Sequence, residues 1–374
     1  MKKVGIYVHI PFCKKKCAYC DFISYENKIN EIEEYIEALK NEIEKVSRDK
    51  LQDYIADTIY IGGGTPSYIK EEYISDIIKT LKRCIKIEKN AEITIEINPG
   101  TADIKKLEKY KQMGINRLSI GLQTSNDKLL KTIERIHTYE EFKKIYDLAR
   151  NIGFKNINID LMIGLPNEKI EDVESDLYEI LLNKPEHVSV YSLILEEGTK
   201  LEKMVNDGTL KLPSESLERK MYWLVKKELE KAGYEHYEIS NFAKKGFESK
   251  HNTNCWKQKE YIGFGVAAHS YFNQVRYSNQ ESLEKYILNN EIKIVHEKQN
   301  NKMQMKEFML LGLRRIEGIR ISEFKEKFIV NPVYEYKYIL NKLVKQGLLE
   351  VDLDKIHLSK KGIDLANLVW EEFV

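Results

Sequence analysis

Three cysteines fall within eight residues near the start of the chain, Cys13, Cys17 and Cys20, in the spacing C-x3-C-x2-C. They follow an apolar run, Val4 to Ile10, that reads as a β-strand. Lys14, Lys15 and Lys16 stand among them, which marks a loop and not a core segment. Short spacings of this kind let one loop wrap several thiolates around a single inorganic centre. A 4Fe–4S cluster normally takes four cysteines. A local set of three therefore suggests a cluster with one iron left open for a substrate or cofactor. Zinc competes, although structural zinc loops favour C-x2-C or C-x4-C pairs with a second pair elsewhere. Burial for packing competes too, since free cysteine is often found inside.

Further chemistry-bearing residues gather where apolar runs end. Thr58–Ile61 leads into Gly62-Gly-Gly-Thr-Pro66, whose glycines allow close backbone approach and whose N–H groups can meet a carboxylate or an amino acid main chain. Glu92–Ile97 carries Glu96 before Asn98-Pro99. Arg117–Leu122 ends in Gly121-Leu-Gln123, with Arg135 twelve residues further on. Asn156–Ile163 holds Asp160 inside an otherwise apolar strand, a costly burial unless the carboxylate has a partner. Singly, each polar residue reads as a strand-end hydrogen bonder. At the same end of successive strands, Glu96, Gln123, Arg135 and Asp160 describe a polar ligand site.

The elements that must position these residues alternate regularly. Val188–Ile194 is the sixth β-rich run, and helical patterns separate the six. Apolar stripes at helical spacing run through Ile32, Tyr35, Ile36, Leu39, Ile43 and Val46, through Tyr73, Ile74, Ile77, Ile78 and Leu81, and through Phe142, Ile145, Tyr146 and Ala149 before Gly153. Alternating strand and helix implies βα units on a parallel sheet, in an α/β fold. After Ile194 the pattern changes. A long helix bearing Tyr222, Val225 and Leu229 precedes short-strand and loop material from Tyr237 to Phe272, which contains His251-Asn-Thr-Asn-Cys-Trp256. The segment Gly263 to Ser270 lacks the βαβ context of a dinucleotide fingerprint. From Lys302 the chain reads as three helices, a strand pair with a wing at Leu353–Leu358, and a last helix, similar to a winged-helix module. These shifts divide the chain at 1–210, 211–300 and 301–374.

Composition narrows the class. Of 374 residues, 42% are hydrophobic, as in ordinary globular proteins, and net charge is +1, which gives no bulk attraction to nucleic acid or an acidic membrane. No apolar run approaches the roughly 20 residues of a spanning helix. Five cysteines, three of them clustered, fit a reducing compartment better than a disulfide framework. A cytoplasmic protein is expected, with peripheral membrane association left open.

The residues Tyr7-Val-His-Ile-Pro-Phe12, followed by C-x3-C-x-Tyr-C, resemble the radical S-adenosylmethionine (SAM) superfamily, in the branch shared by oxygen-independent coproporphyrinogen III oxidases and HemW-type haem chaperones. The resemblance implies a partial (β/α)6 radical SAM barrel followed by the winged-helix-like α+β module. It implies a 4Fe–4S cluster on Cys13, Cys17 and Cys20, and SAM held by Tyr7, Tyr19, Gly63, Gly64, Thr65, Glu96, Gln123, Arg135 and Asp160. Within the branch, Asp21 and Phe22 stand where oxidases carry a further cysteine, and Tyr7 lies close to the first residue, where oxidases carry an N-terminal extension. His251 to Trp256 resembles the HNxxYW haem-binding motif of the chaperones, with Cys255 in place of its tyrosine. The resemblance thus implies haem on His251, Cys255 and Trp256, delivery to acceptors such as respiratory haemoproteins, and an electron donor such as flavodoxin or ferredoxin if SAM is cleaved. Coproporphyrinogen oxidation and a radical SAM methyltransferase activity are the alternatives. Nucleic-acid binding by the terminal module is disfavoured.

Overall fold

Six parallel strands pair in chain order: β1 (Lys2–Ile10), β2 (Tyr54–Gly63), β3 (Lys86–Ile97), β4 (Arg117–Gln123), β5 (Ile157–Ile163) and β6 (His187–Ser192). The structure is a computed structural model that describes residues 1–289 and 293–374. The connecting helices bury the stripes that their spacing anticipates. Ile32–Lys50 buries Tyr35, Ile36, Leu39 and Ile43, and Glu71–Cys84 buries Ile74, Ile77, Ile78 and Leu81. Tyr139–Ile152 opens with a capping box between Thr138 and Glu141 and stops at Gly153, whose φ of +95° is readily adopted only without a Cβ.

The two faces of the strands differ, because successive side chains point opposite ways. One face is aliphatic, with Ile59, Ile95, Leu118, Ile120, Ile159 and Val188 under the helices. The other is polar: Tyr60 bonds to Glu96, Ser119 to Asp160, and His187 and Ser189 both to Asn158. A closed barrel usually fills its interior with branched aliphatic layers. Here the interior is a connected set of hydrogen-bonding groups, as a polar ligand requires.

The sheet does not stop at six strands. On the β1 edge it continues through β9 (Tyr261–Phe264), β10 (His269–Phe272), β11 (Val275–Asn279) and β12 (Lys293–Lys298), with β9 parallel to β1 and the rest antiparallel. Beyond β6 it adds β8 (Asn241–Ala243) and β7 (Glu235–Glu238). The short strands are visible in local pattern, but where they join the barrel is not, because Gly5 pairs with Tyr261 and His187 with Ala243, far apart in the chain. Covering both edges also satisfies backbone groups that an open barrel would leave exposed.

Residues from Met305 to Phe373 build a second core of their own. Helices Asn301–Gly312, Ile321–Phe328 and Lys337–Lys345 pack with the hairpin β14 (Leu349–Val351) and β15 (Lys355–Leu358). The expected strand pair has a third member, β13 (Ile319–Arg320), too short to leave a periodic signal. No helix among the described residues is long and apolar enough to cross a membrane.

Candidate functional site

The cysteine loop leaves β1 and is fastened along its length. Tyr25 N–H donates to Pro11 O at 2.7 Å, Cys13 N–H to Tyr25 O at 3.0 Å, and Ala18 N–H to Ile133 O at 3.1 Å. Gly64 N–H reaches Ile10 O at 2.8 Å and Thr65 N–H reaches Phe12 O at 3.0 Å, so the glycine-rich turn after β2 is tied to the same loop. Two donors face the sulfurs. Thr65 Oγ1 lies 3.4 Å from Cys13 Sγ, and Arg135 Nη1 lies 3.5 Å from Cys17 Sγ. Cys17 and Cys20 line a cleft of about 660 Å³. Among the described residues no three His, Cys, Asp or Glu side chains converge tightly enough for one metal ion. Hydrogen bonds to the sulfurs are among the features that tune an iron–sulfur cluster. Burial pushes the Cys20 thiol up to about 11 and raises Cys13 as well, so ionisation of both calls for a positive centre.

Beside the loop, the strand ends assemble the polar set. Glu96 accepts from Tyr60 Oη at 2.8 Å and from Gly63 N–H at 3.1 Å. Burial raises its carboxyl to about 7 against the lowering effect of the Tyr60 hydrogen bond. Asp160 has the partners its burial demands, Asn158 Nδ2 at 2.8 Å and Ser119 Oγ at 3.2 Å. Arg135 also donates to Gly121 O at 3.3 Å. Gln123 holds a φ of +69°, a left-handed conformation rare for a non-glycine residue and typical of strained functional positions. Tyr19 packs against Leu129, Ile133, Met162 and Leu165. Tyr7 Oη meets His9 Nδ1 at 2.9 Å.

The glycines of the turn are needed for space. Gly63 has a φ of +115°, and a Cβ there would come within 2.5 Å of His9 Nδ1. At Gly64 a Cβ would stand 3.0 Å from Cys13 Sγ. The turn is thus a bare backbone cradle between the cysteine loop and Glu96, of the kind in which N–H groups receive a ligand. Tyr19 lies on the cysteine loop, Gly64 and Thr65 on the turn after β2, Tyr7, Gly63, Glu96, Gln123 and Asp160 on the strands, and Arg135 in the connection before the helix Tyr139–Ile152, where it reaches Cys17 and Gly121.

The motif from His251 to Trp256 lies elsewhere. It forms the helix Lys250–Trp256, whose first N–H groups are capped by Glu92: Lys250 N–H at 3.2 Å and His251 N–H at 3.1 Å. His251 enters the barrel from the N-terminal ends of the strands, 6% exposed, with Nδ1 2.9 Å from Thr58 Oγ1 and its ring 5.4 Å from that of Tyr60. Burial lowers its pKa to about 4, so the imidazole is neutral. Trp256 points away from His251, as five residues of helix dictate. It lines a cavity of about 820 Å³ with Tyr237, Lys250 and Lys257, and Arg314 covers its ring at 4.4 Å. Cys255 follows His251 by one helical turn and so lies on its side of the helix; burial pushes its thiol up to about 12, against the nearby charge of Arg276. His251 and Trp256 therefore do not face one common space.

Several residues at the site escape a reading by motif. Tyr60, Ser119, Asn158 and Glu92 hold the candidate groups in place, and Arg117 is buried among them. Their signal was polar residues at every second position of apolar strands, as in Thr58/Tyr60, Thr94/Glu96, Arg117/Ser119 and Asn158/Asp160.

Comparison with known proteins agrees with this architecture. The model of the radical SAM superfamily matches residues 7–178, and that of the HemN C-terminal domain matches residues 300–365. The solved structure of coproporphyrinogen III oxidase (HemN) from Escherichia coli, described as a radical SAM enzyme, aligns with a TM-score of 0.87. It covers 100% of this chain and 90% of that one at 23% identity, a likeness that speaks to the fold. Barrel and terminal module together define a radical SAM protein of the HemN fold. The heme chaperone HemW of Lactococcus lactis is 38% identical over 100% of this chain and 98% of its own length. That of Bacillus subtilis is 36% identical, covering 98% of each chain. The chain belongs to the HemW family.

Proposed function

We propose that this protein is a haem chaperone of the cytoplasm, which binds haem and passes it to acceptor haemoproteins. The observation that carries the reading is similarity to proteins named heme chaperone over essentially the whole chain, beyond the barrel that many radical SAM proteins share. Cys13, Cys17 and Cys20 would hold a 4Fe–4S cluster. Gly63, Gly64, Thr65, Glu96, Gln123, Arg135 and Asp160, with Tyr7 and Tyr19, would hold SAM. When bound, a cluster with an open iron supplies a binding point for SAM and one electron toward it. The chain's own contribution is to orient that ligand: Gly63 is held by Glu96, Arg135 bridges Gly121 and Cys17, and Asp160 stands fixed by Asn158 and Ser119. An external donor of the flavodoxin or ferredoxin kind would supply reducing equivalents if SAM is cleaved.

Haem is assigned to the helix Lys250–Trp256 and the cavity beside it, whose 820 Å³ lies within the roughly 300–1,000 Å³ range of small-molecule sites. His251 and Cys255 are its candidate iron ligands. Ligation through His251 requires this helix to leave Thr58 and Glu92, because the ring is engaged inside the barrel. The test is anaerobic haem titration of the reconstituted protein, then incubation with coproporphyrinogen, SAM and reductant. Haem bound near one per chain without protoporphyrinogen formation is expected. Equal affinities and spectra for wild type, His251→Ala and Cys255→Ala would place haem away from these residues, and turnover of coproporphyrinogen would overturn the chaperone reading.

A further inference from the structure

Arg117 opens β4 and is the largest fully buried side chain among the described residues. In the register of the sheet it stands opposite Thr94 of β3, and the next inward positions on the two strands, Ser119 and Glu96, are paired with each other. Ser119 in turn donates to Asp160. Arg117 thus lies one inward position below Glu96 and, since Asp160 stands opposite Gly121, two below Asp160, toward the N-terminal ends of the strands. Its Nε finds no acceptor among the described residues. A guanidinium buried so completely is costly unless opposite charge compensates it.

We infer that Arg117 is a positioning residue for the candidate SAM site: its guanidinium is the fixed counter-charge beneath Glu96 and Asp160, and it holds both carboxylates in the acceptor form in which they meet the ligand. This rests on the reading that the strand ends bind SAM. Around Glu96, Tyr60 and Gly63 N–H come from β2, Tyr7 from β1, Asp160 from β5 and Tyr191 from β6, with Arg117 from β4. Around Asp160 stand Asn158, Ser119 and Ser189, with Tyr60, Tyr191 and Arg135 as further titratable or charged groups. Arg135 approaches Asp160 from the mouth but is already bonded to Cys17 and Gly121. Arg117 is the cation that faces the pair from below. Two buried histidines nearby, His187 and His251, are kept neutral by burial first and by Arg117 second, so neither competes for that task.

The sign of the effect is definite. Burial carries Glu96 up to about 7 while Arg117 pulls it down. SAM binding should therefore weaken as pH falls through about 7. In Arg117→Gln the midpoint of that fall should move to higher pH by roughly one unit or more, the size of a nearby charge's effect. Arg117→Lys should restore it. The experiment is calorimetric titration of SAM into cluster-loaded wild type, Arg117→Gln and Arg117→Lys from about pH 6 to about pH 9, on either side of the Glu96 value. Weakening by one factor at every pH, or no change, would overturn the inference while leaving the SAM site standing. Failure of the wild type itself to bind SAM at any pH would overturn the parent reading, and this inference with it. Infrared difference spectra of the wild type, with Glu96→Gln and Asp160→Asn as references, give a second measure that does not depend on the stability of Arg117→Gln. Two ionised carboxylates above neutral pH are expected, and protonated ones would sink the proposal.

Discussion

Glu92 and Glu96 share strand β3 and fasten opposite ends of the barrel. Glu96 receives Gly63 N–H at the mouth, while Glu92 receives the first N–H groups of the helix that carries His251 at the base. Tyr60 lies between, its hydroxyl on Glu96 and its ring over His251. The candidate SAM cradle and the candidate haem motif are thus built on adjacent positions of the same two strands.

Cys13→Ala, Cys17→Ala or Cys20→Ala should each abolish the cluster, because Cys84 and Cys255 lie outside the loop. Cys84→Ala should leave it intact. Iron and acid-labile sulfide assays after anaerobic reconstitution decide the matter, and a full cluster in Cys17→Ala would refute the ligand set.

Asp160→Ala should weaken SAM binding and spare the cluster. Loss of a charged hydrogen bond costs on the order of 1.5–3 kcal/mol, or roughly tenfold or more in affinity. Calorimetry on the reconstituted variant reads this directly. Unchanged affinity would remove Asp160 from the site.

Gly63→Ala should destabilise the turn. The residue combines φ of +115° with a Cβ path blocked by His9, and backbone strain of this sort costs about 1–3 kcal/mol. A lower unfolding temperature and loss of SAM binding are expected together. Retention of both would mean the turn relaxes without its bare backbone.

Acid should loosen the base of the barrel. His251 titrates near 4 in the folded chain against about 6.5 unfolded, so the unfolded state binds more protons between those values. Its contribution is complete above about 6.5 and is lost as pH falls toward 4. Glu96, raised to about 7, acts in the opposite sense above its ordinary value of 4.5. Comparing urea unfolding of wild type and His251→Gln at pH 7 and pH 5 isolates the histidine. The variant should lose less stability than the wild type over that interval, and an identical loss would contradict the buried, neutral ring.

Local pattern carried much of this protein. The C-x3-C-x2-C spacing, the glycine-rich turn and the alternation of six strands with amphipathic helices are properties of neighbouring residues, and they place Cys13, Gly63, Glu96 and Asp160 where they stand. Tertiary structure decided what spacing cannot hold. Asp160 is tolerated because Ser119, forty-one positions away, reaches it. His251 and Trp256, close in sequence, face different spaces because the helix that joins them turns one into the barrel and the other toward Arg314. Arg117 reads as an ordinary strand-starting cation until the barrel closes around it. Chain order specifies which residues are available, but packing determines which charges are left to face one another in the absence of water, and there their interactions are strongest.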